Sequence, residues 1–188
     1  MINTFYLTPG TIHHLRTAFQ KQGSIAIHQF FPQTMYKELM KEVSAVRFQR
    51  KCNPLTHSYS QAALPRCIER LFHSAEWKFF LSSLIGKKAR SCTGTVYSLT
   101  WKDYTLLHDR QREKRGIEFI IDFSDQWPDH AGGSFVFRDA KGNATLVSPH
   151  GNCLTLRTTS PRTKSFIQYV NHYGMKQKRI FVRGRVEY

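Results

Sequence analysis

Acidic residues are scarce in this chain, which holds 13 Asp and Glu against 28 Lys and Arg among 188 residues. The formal net charge of +15 produces a field that attracts nucleic acid, ribosomes or anionic membrane surfaces. The excess is uneven, because residues 157–188 carry eight basic side chains and one acid, Glu187. The few, scattered carboxylates argue against a glycosidase, which needs a close pair of them.

Long apolar runs and paired cysteines are also missing. No apolar run approaches the length of a membrane span, and residues 1–10 lack the basic start and apolar centre of a signal peptide. The four cysteines contain no CxxC pair, which argues against a zinc knuckle and favours reduced thiols. We therefore expect a cytoplasmic protein with no membrane partner.

The two halves of the chain differ in their apolar pattern. The first half predicts helices over residues 11–22, 33–46 and 65–86, a short strand within 24–31, and a loop over 47–63. Beyond Gly86, eight short apolar runs are separated by Gly, Pro, Asp and Asn, which indicates an antiparallel sandwich or barrel. The fold class is α+β. We expect a single domain spanning residues 1–188, with a helical part (1–88) and a β-rich core (89–188).

Four motifs follow one another in the second half: KDYTLLHD, IIDFSDQWPDHAGGSFVF, SPHGNCLTL and KRIFVRG. Their order and spacing resemble the 2-oxoglutarate/Fe(II)-dependent dioxygenases of the prolyl-hydroxylase type. The resemblance implies a double-stranded β-helix, a jelly-roll sandwich with amino-terminal helices packed on one sheet. It also implies Fe(II) and 2-oxoglutarate as cofactors, and hydroxylation of a protein side chain or a small molecule.

The resemblance also assigns metal ligands. That family holds Fe(II) with a His-x-Asp pair on one strand and a later histidine. His108 falls at the first position, but Arg110 stands where the aspartate belongs, and a guanidinium cannot ligate a metal. Asp109 can substitute only if the strand ends or bulges there, since neighbours on a strand face opposite sides. The later histidine is expected within residues 164–167, which contain none, and the nearest is His172. The implied metal set is therefore His108, Asp109 and His172.

The last motif carries the residue implied to bind 2-oxoglutarate. Arg179 matches the basic position of the family, and a guanidinium suits a planar carboxylate. The alternative for Arg179 is a surface cation facing a nucleic-acid backbone. Three hypotheses for the whole chain stay open, and with them its status as an enzyme. One is a dioxygenase. Another is a catalytically inactive, basic double-stranded β-helix that binds nucleic acid or the ribosome. The third is a double-stranded β-helix with a different ligand set or another metal.

Overall fold

The helices of the chain lie mostly in its first half. The computed structural model describes residues 1–107, 113–139 and 142–188. Its helices are α1 (Pro9–Gln22), α2 (Gln33–Ser44), α3 (Arg66–His73) and α4 (Ala75–Ile85), with 3-10 turns at Thr4–Leu7 and His172–Gly174. Helix α1 ends at Gly23, whose φ of 72° is the left-handed conformation that closes a helix.

The single helix predicted over residues 65–86 is wrong, because the chain breaks at Ser74. The backbone of Ser74 is extended, with a ψ of 146°. Its hydroxyl accepts a hydrogen bond from the Trp77 amide at 3.2 Å, so Ser74 acts as the N-cap of α4. Two helices thus replace one while the apolar face continues across the break.

Eleven strands form two antiparallel sheets in the described residues. The strands are β1 (Ser24–Ile27), β2 (Gln49–Asn53), β3 (His57–Ala62), β4 (Ser91–Leu99), β5 (Tyr104–Thr105), β6 (Gly116–Asp122), β7 (Phe135–Arg138), β8 (Ala144–Val147), β9 (Cys153–Thr159), β10 (Lys164–Ile167) and β11 (Arg179–Glu187). The main sheet runs β1-β9-β6-β11-β4-β3-β2, with β5 paired to β3, and the small sheet runs β10-β7-β8. The eight strands predicted beyond Gly86 are all present, as β4 to β11.

The loop predicted over residues 47–63 is wrong, since it contains the hairpin of β2 and β3. This hairpin extends the main sheet, although most β2 side chains are exposed and polar. An ion pair supports it: the Arg50 guanidinium lies 2.6 Å from Asp103, which also accepts a hydrogen bond from the Ser58 hydroxyl.

The main sheet has an apolar core on each face. Strand β6 shows the division, because its alternate residues Ile117, Phe119 and Ile121 belong to the core beneath the helices. Ile120 belongs to a second core between the two sheets, with Leu99, Phe135 and Phe181. Period-two alternation therefore sends Glu118 and Asp122, which flank Ile120, into the space between the sheets.

Within the described ranges, every helix is too short or too polar to cross a membrane.

Candidate functional site

A cavity of about 320 Å³ opens between the two sheets. Its walls come from β3, β4, β5, β10 and β11, and its polar side chains include Tyr59, Tyr97, Thr105 and Arg183. The Tyr97 ring stacks on the Phe181 ring with centroids 5.3 Å apart. Leu106, two residues before His108 in the chain, also lines the cavity.

Arg179, the residue predicted to bind 2-oxoglutarate, is fully buried at 0% exposure. Its Nε and Nη2 donate to Asp122 Oδ2 at 3.0 and 2.6 Å, and its Nη1 donates to the Gly133 carbonyl. The guanidinium carbon lies 4.9 and 4.8 Å from the ring centroids of Phe135 and Phe181. The guanidinium is therefore paired with a carboxylate of the chain itself and shielded from water by aromatic rings.

Asp122 is positioned by the strand register. It pairs with Phe181 across β6 and β11, so its side chain faces the same interior as Arg179. Its second oxygen, Oδ1, accepts a hydrogen bond from the Ser124 amide at 2.9 Å. Both oxygens thus have partners, which a carboxylate with 5% side-chain exposure requires.

A second buried network neutralises two further arginines. Glu118 accepts from Arg157 Nε at 2.6 Å and from Arg183 Nε at 2.5 Å. Arg157 Nη2 also donates to Glu113 at 2.7 Å, and the Ser165 hydroxyl donates to Glu113 at 2.6 Å. Burial alone would raise the pKa of Glu113, but the hydrogen bond and charge of Arg157 lower that pKa below its ordinary value.

Of the three predicted metal ligands, the structure describes only His172. His108 and Asp109 lie outside the described residues, so the metal set stays a prediction. His172 is exposed and sits in the 3-10 turn after β10, where its ring contacts Tyr173 with centroids 4.2 Å apart. In residues 1–107, 113–139 and 142–188, no three His, Cys, Asp or Glu side chains gather as a metal site.

The β10 segment, where the later histidine was expected, presents other chemistry to the cavity. Ser165 and Ile167 line it, and the Ser165 hydroxyl is already bound to Glu113. Neither side chain supplies the imidazole nitrogen that an iron site of this kind uses. Residues 164–167 therefore offer no imidazole to a metal, and the Arg179 guanidinium is already paired with Asp122.

Sequence reasoning missed the carboxylates of these networks. The stretch IEFIIDF held a usable signal, since alternation around the apolar residues places Glu118 and Asp122 on one face. Their arginine partners are far along the chain, with Asp122 and Arg179 57 positions apart. No local pattern identifies such a pair.

The two antiparallel sheets, the helices packed on the larger one and the cavity between them define a class. The chain has the double-stranded β-helix fold of the 2OG-Fe(II) oxygenases, which confirms the predicted fold and resemblance. A Pseudomonas putida prolyl-4-hydroxylase aligns with a TM-score of 0.72 at 11% identity, covering 94% of this chain and 98% of that chain. A Burkholderia pseudomallei oxidoreductase of the 2OG-Fe(II) oxygenase family aligns with a TM-score of 0.73 at 12% identity, covering 96% and 92%.

Two further similarities involve named prolyl hydroxylases. The Trichoplax adhaerens prolyl hydroxylase, in complex with a hypoxia inducible factor peptide fragment, aligns with a TM-score of 0.73 at 13% identity, covering 93% and 88%. In sequence, the chain is 20% identical to prolyl 3-hydroxylase OGFOD1 of Xenopus laevis over 225 residues, which covers 94% of this chain and 43% of that protein. The chain thus spans less than half the length of this relative. No protein-family model matches the sequence.

Proposed function

We propose that this chain is a dioxygenase-like domain that works as a binding module. The arginine implied to hold 2-oxoglutarate is already paired with a carboxylate of the chain itself. The single observation that carries the proposal is the buried pair of Asp122 and Arg179. The fold is that of an oxygenase, while the charge that would attract the cofactor is already neutralised inside the protein.

The energetics favour the internal pair over an added ligand. A ligand carboxylate on Arg179 must displace Asp122, and separating one partner of a buried ion pair costs about 3–5 kcal/mol. The displaced Asp122 carboxylate, whose side chain is 5% exposed, would then have lost the cation that it is paired with. This cost reduces the binding free energy of a free dicarboxylate.

An anaerobic titration with Fe(II) and 2-oxoglutarate tests the proposal. We expect no visible charge-transfer band and no protection against thermal unfolding, whereas the Pseudomonas putida prolyl-4-hydroxylase serves as the positive control under the same conditions. The matched variant is His108→Ala. A band that forms with the wild-type chain and disappears in this variant would contradict the proposal.

A second candidate, an active dioxygenase, is favoured by the cavity itself. Its lining includes Thr105 and Leu106, which directly precede the segment of His108, and the partly exposed cation Arg183. In this candidate His108, Asp109 and His172 hold Fe(II), and a protein side chain or a small molecule is the substrate. The peptide bound to the Trichoplax neighbour supports a protein substrate.

Succinate release separates the two candidates. Incubation with Fe(II), 2-oxoglutarate and O2 should yield no succinate above the His108→Ala background if the chain is a binding module. Release that depends on His108 would favour the enzyme.

The binding-module proposal extends to partner and location. The net charge of +15 fits a polyanionic partner, either nucleic acid or the ribosome. The four free cysteines, of which Cys52 is exposed, fit a reducing compartment such as the cytoplasm.

A further inference from the structure

We infer that one end of the main sheet binds single-stranded nucleic acid, an assignment that rests on the proposed role as a binding module. This surface, the basic end, lies where β4 and β6 begin and β9 and β11 end. Its members are Lys87, Lys88, Arg90, Lys114, Arg115, Arg185 and Tyr188.

Strand register brings these residues together from distant parts of the chain. Glu187 near the end of β11 pairs with Ser91 at the start of β4, so the residues before β4 adjoin the end of β11. Val186 near the end of β11 also pairs with Ile117 near the start of β6, so the residues before β6 adjoin the same end of β11. Three basic segments, around residues 87–90, 114–115 and 185–188, therefore meet at one edge of the sandwich.

The cations of the basic end have no carboxylate partner among the residues that the structure describes. None of its six Lys and Arg side chains forms an ion pair with any residue in the described ranges. Arg185 instead donates to the Lys114 carbonyl at 2.8 Å, which fixes the segment before β6 against β11. The acid Glu187 accepts a hydrogen bond from the Ser91 hydroxyl. The surface thus concentrates positive charge at one edge of the sheet, and Lys and Arg side chains of this kind neutralise phosphates.

A groove of about 360 Å³ adds an aromatic contact to this charge. Lys87, Arg115 and Tyr188 line it, together with the apolar side chains of Phe19 and Ile117. Tyr188 is 40% exposed, and Lys87 Nζ lies 4.5 Å from the centroid of its ring. An unpaired base can stack on such a ring while its phosphates contact the cations. A duplex keeps its bases stacked inside, so the groove favours a single strand.

Fluorescence anisotropy with a fluorescein-labelled oligouridylate of about 15 nucleotides tests the inference. The Lys87→Glu/Arg115→Glu double variant should lose at least about tenfold in affinity, and its slope of log affinity against log salt should fall by roughly 1.4 for two lost phosphate contacts. Its matched control is Lys37→Glu/Lys41→Glu, which makes the same charge change on exposed positions of α2. That control should lose less than about twofold.

The aromatic contribution has its own variant. Tyr188→Ala should lower the affinity by about fivefold while leaving the salt slope unchanged, because stacking releases no counterions. Circular dichroism melting of every variant confirms that each is folded before its affinity is compared.

The experiments test this surface and the proposed function independently. Equal losses of affinity in the two double variants would overturn the basic end as the site, because binding would then depend only on the overall charge. An absence of binding by the wild-type chain would also overturn it. The closure of the cofactor position by Asp122 is measured independently, in the titration with Fe(II) and 2-oxoglutarate.

Discussion

Asp122→Ala is the sharpest test of how the interior is held together. The substitution leaves Arg179 buried with its Gly133 contact, but removes the carboxylate that receives its Nε and Nη2. The lost oxygens also leave the Ser124 amide without its side-chain acceptor. A guanidinium with 0% exposure then has no counter-ion in its described surroundings.

The expected cost follows from this geometry. Breaking a buried ion pair by removing one partner costs about 3–5 kcal/mol in the free energy of unfolding. For a chain of 188 residues, each kcal/mol lowers the melting temperature by about 2–4 °C, so the variant should melt about 6–20 °C below the wild type. The double variant Asp122→Ala/Arg179→Met removes both charges and should recover part of this loss.

The same variant reports on the cofactor position. Without Asp122, Arg179 can accept an added carboxylate, so acetate or 2-oxoglutarate should raise the melting temperature of Asp122→Ala. A ligand at 100 times its Kd would raise the free energy of unfolding of the variant by about 2.7 kcal/mol. Neither the wild type nor the double variant should respond. Urea and thermal unfolding followed by circular dichroism measure each quantity.

Two results would refute this reasoning. A loss below about 1 kcal/mol in Asp122→Ala would mean that the pair carries little of the stability. An equal thermal response of wild type and variant to 2-oxoglutarate would mean that Asp122 does not block the ligand.

Three smaller predictions are tested by unfolding or by labelling of cysteine thiols. Glu113→Gln should cost about 1.5–3 kcal/mol at neutral pH. The difference should begin to shrink as pH falls below the ordinary Glu pKa of 4.5 and should vanish below the lowered pKa of the folded protein. Ser74→Ala should cost about 1 kcal/mol in unfolding free energy, because α4 loses its N-cap. Burial raises the pKa of the Cys153 thiol from 9.0 to about 11, so iodoacetamide should modify it at least roughly 100-fold more slowly than exposed Cys52, as followed by mass spectrometry.

Elements with a strong apolar period could be predicted from the sequence. Strand β6 illustrates this, because its apolar residues mark both its extent and the faces it presents. The hairpin of β2 and β3 escaped prediction because β2 lies at the edge of the sheet, where polar side chains on both faces carry no alternation. The break at Ser74 escaped for the opposite reason, since the apolar face of α3 continues into α4 and hides the cap.

For the candidate site, the sequence predicted which residue to consider but not what that residue contacts. The family resemblance selected Arg179, and the structure places that residue in the interior. There Arg179 contacts Asp122, which the pairing of β6 with β11 brings close to it. Burial of a charge demands a partner, but the sequence offers several carboxylates and only the register chooses among them.

The pairing inside the sandwich leaves the whole excess of positive charge to the rest of the chain. Arg157, Arg179 and Arg183 are balanced by Glu113, Glu118 and Asp122, so three positive and three negative charges cancel between the sheets. The net charge of +15 must then be carried entirely by residues outside this network. Nearly a quarter of the 13 acids belong to this network, so few remain to offset the exposed lysines and arginines. An interior that pairs its own arginines and an exterior with few acids support the proposed recognition of a polyanion at the surface.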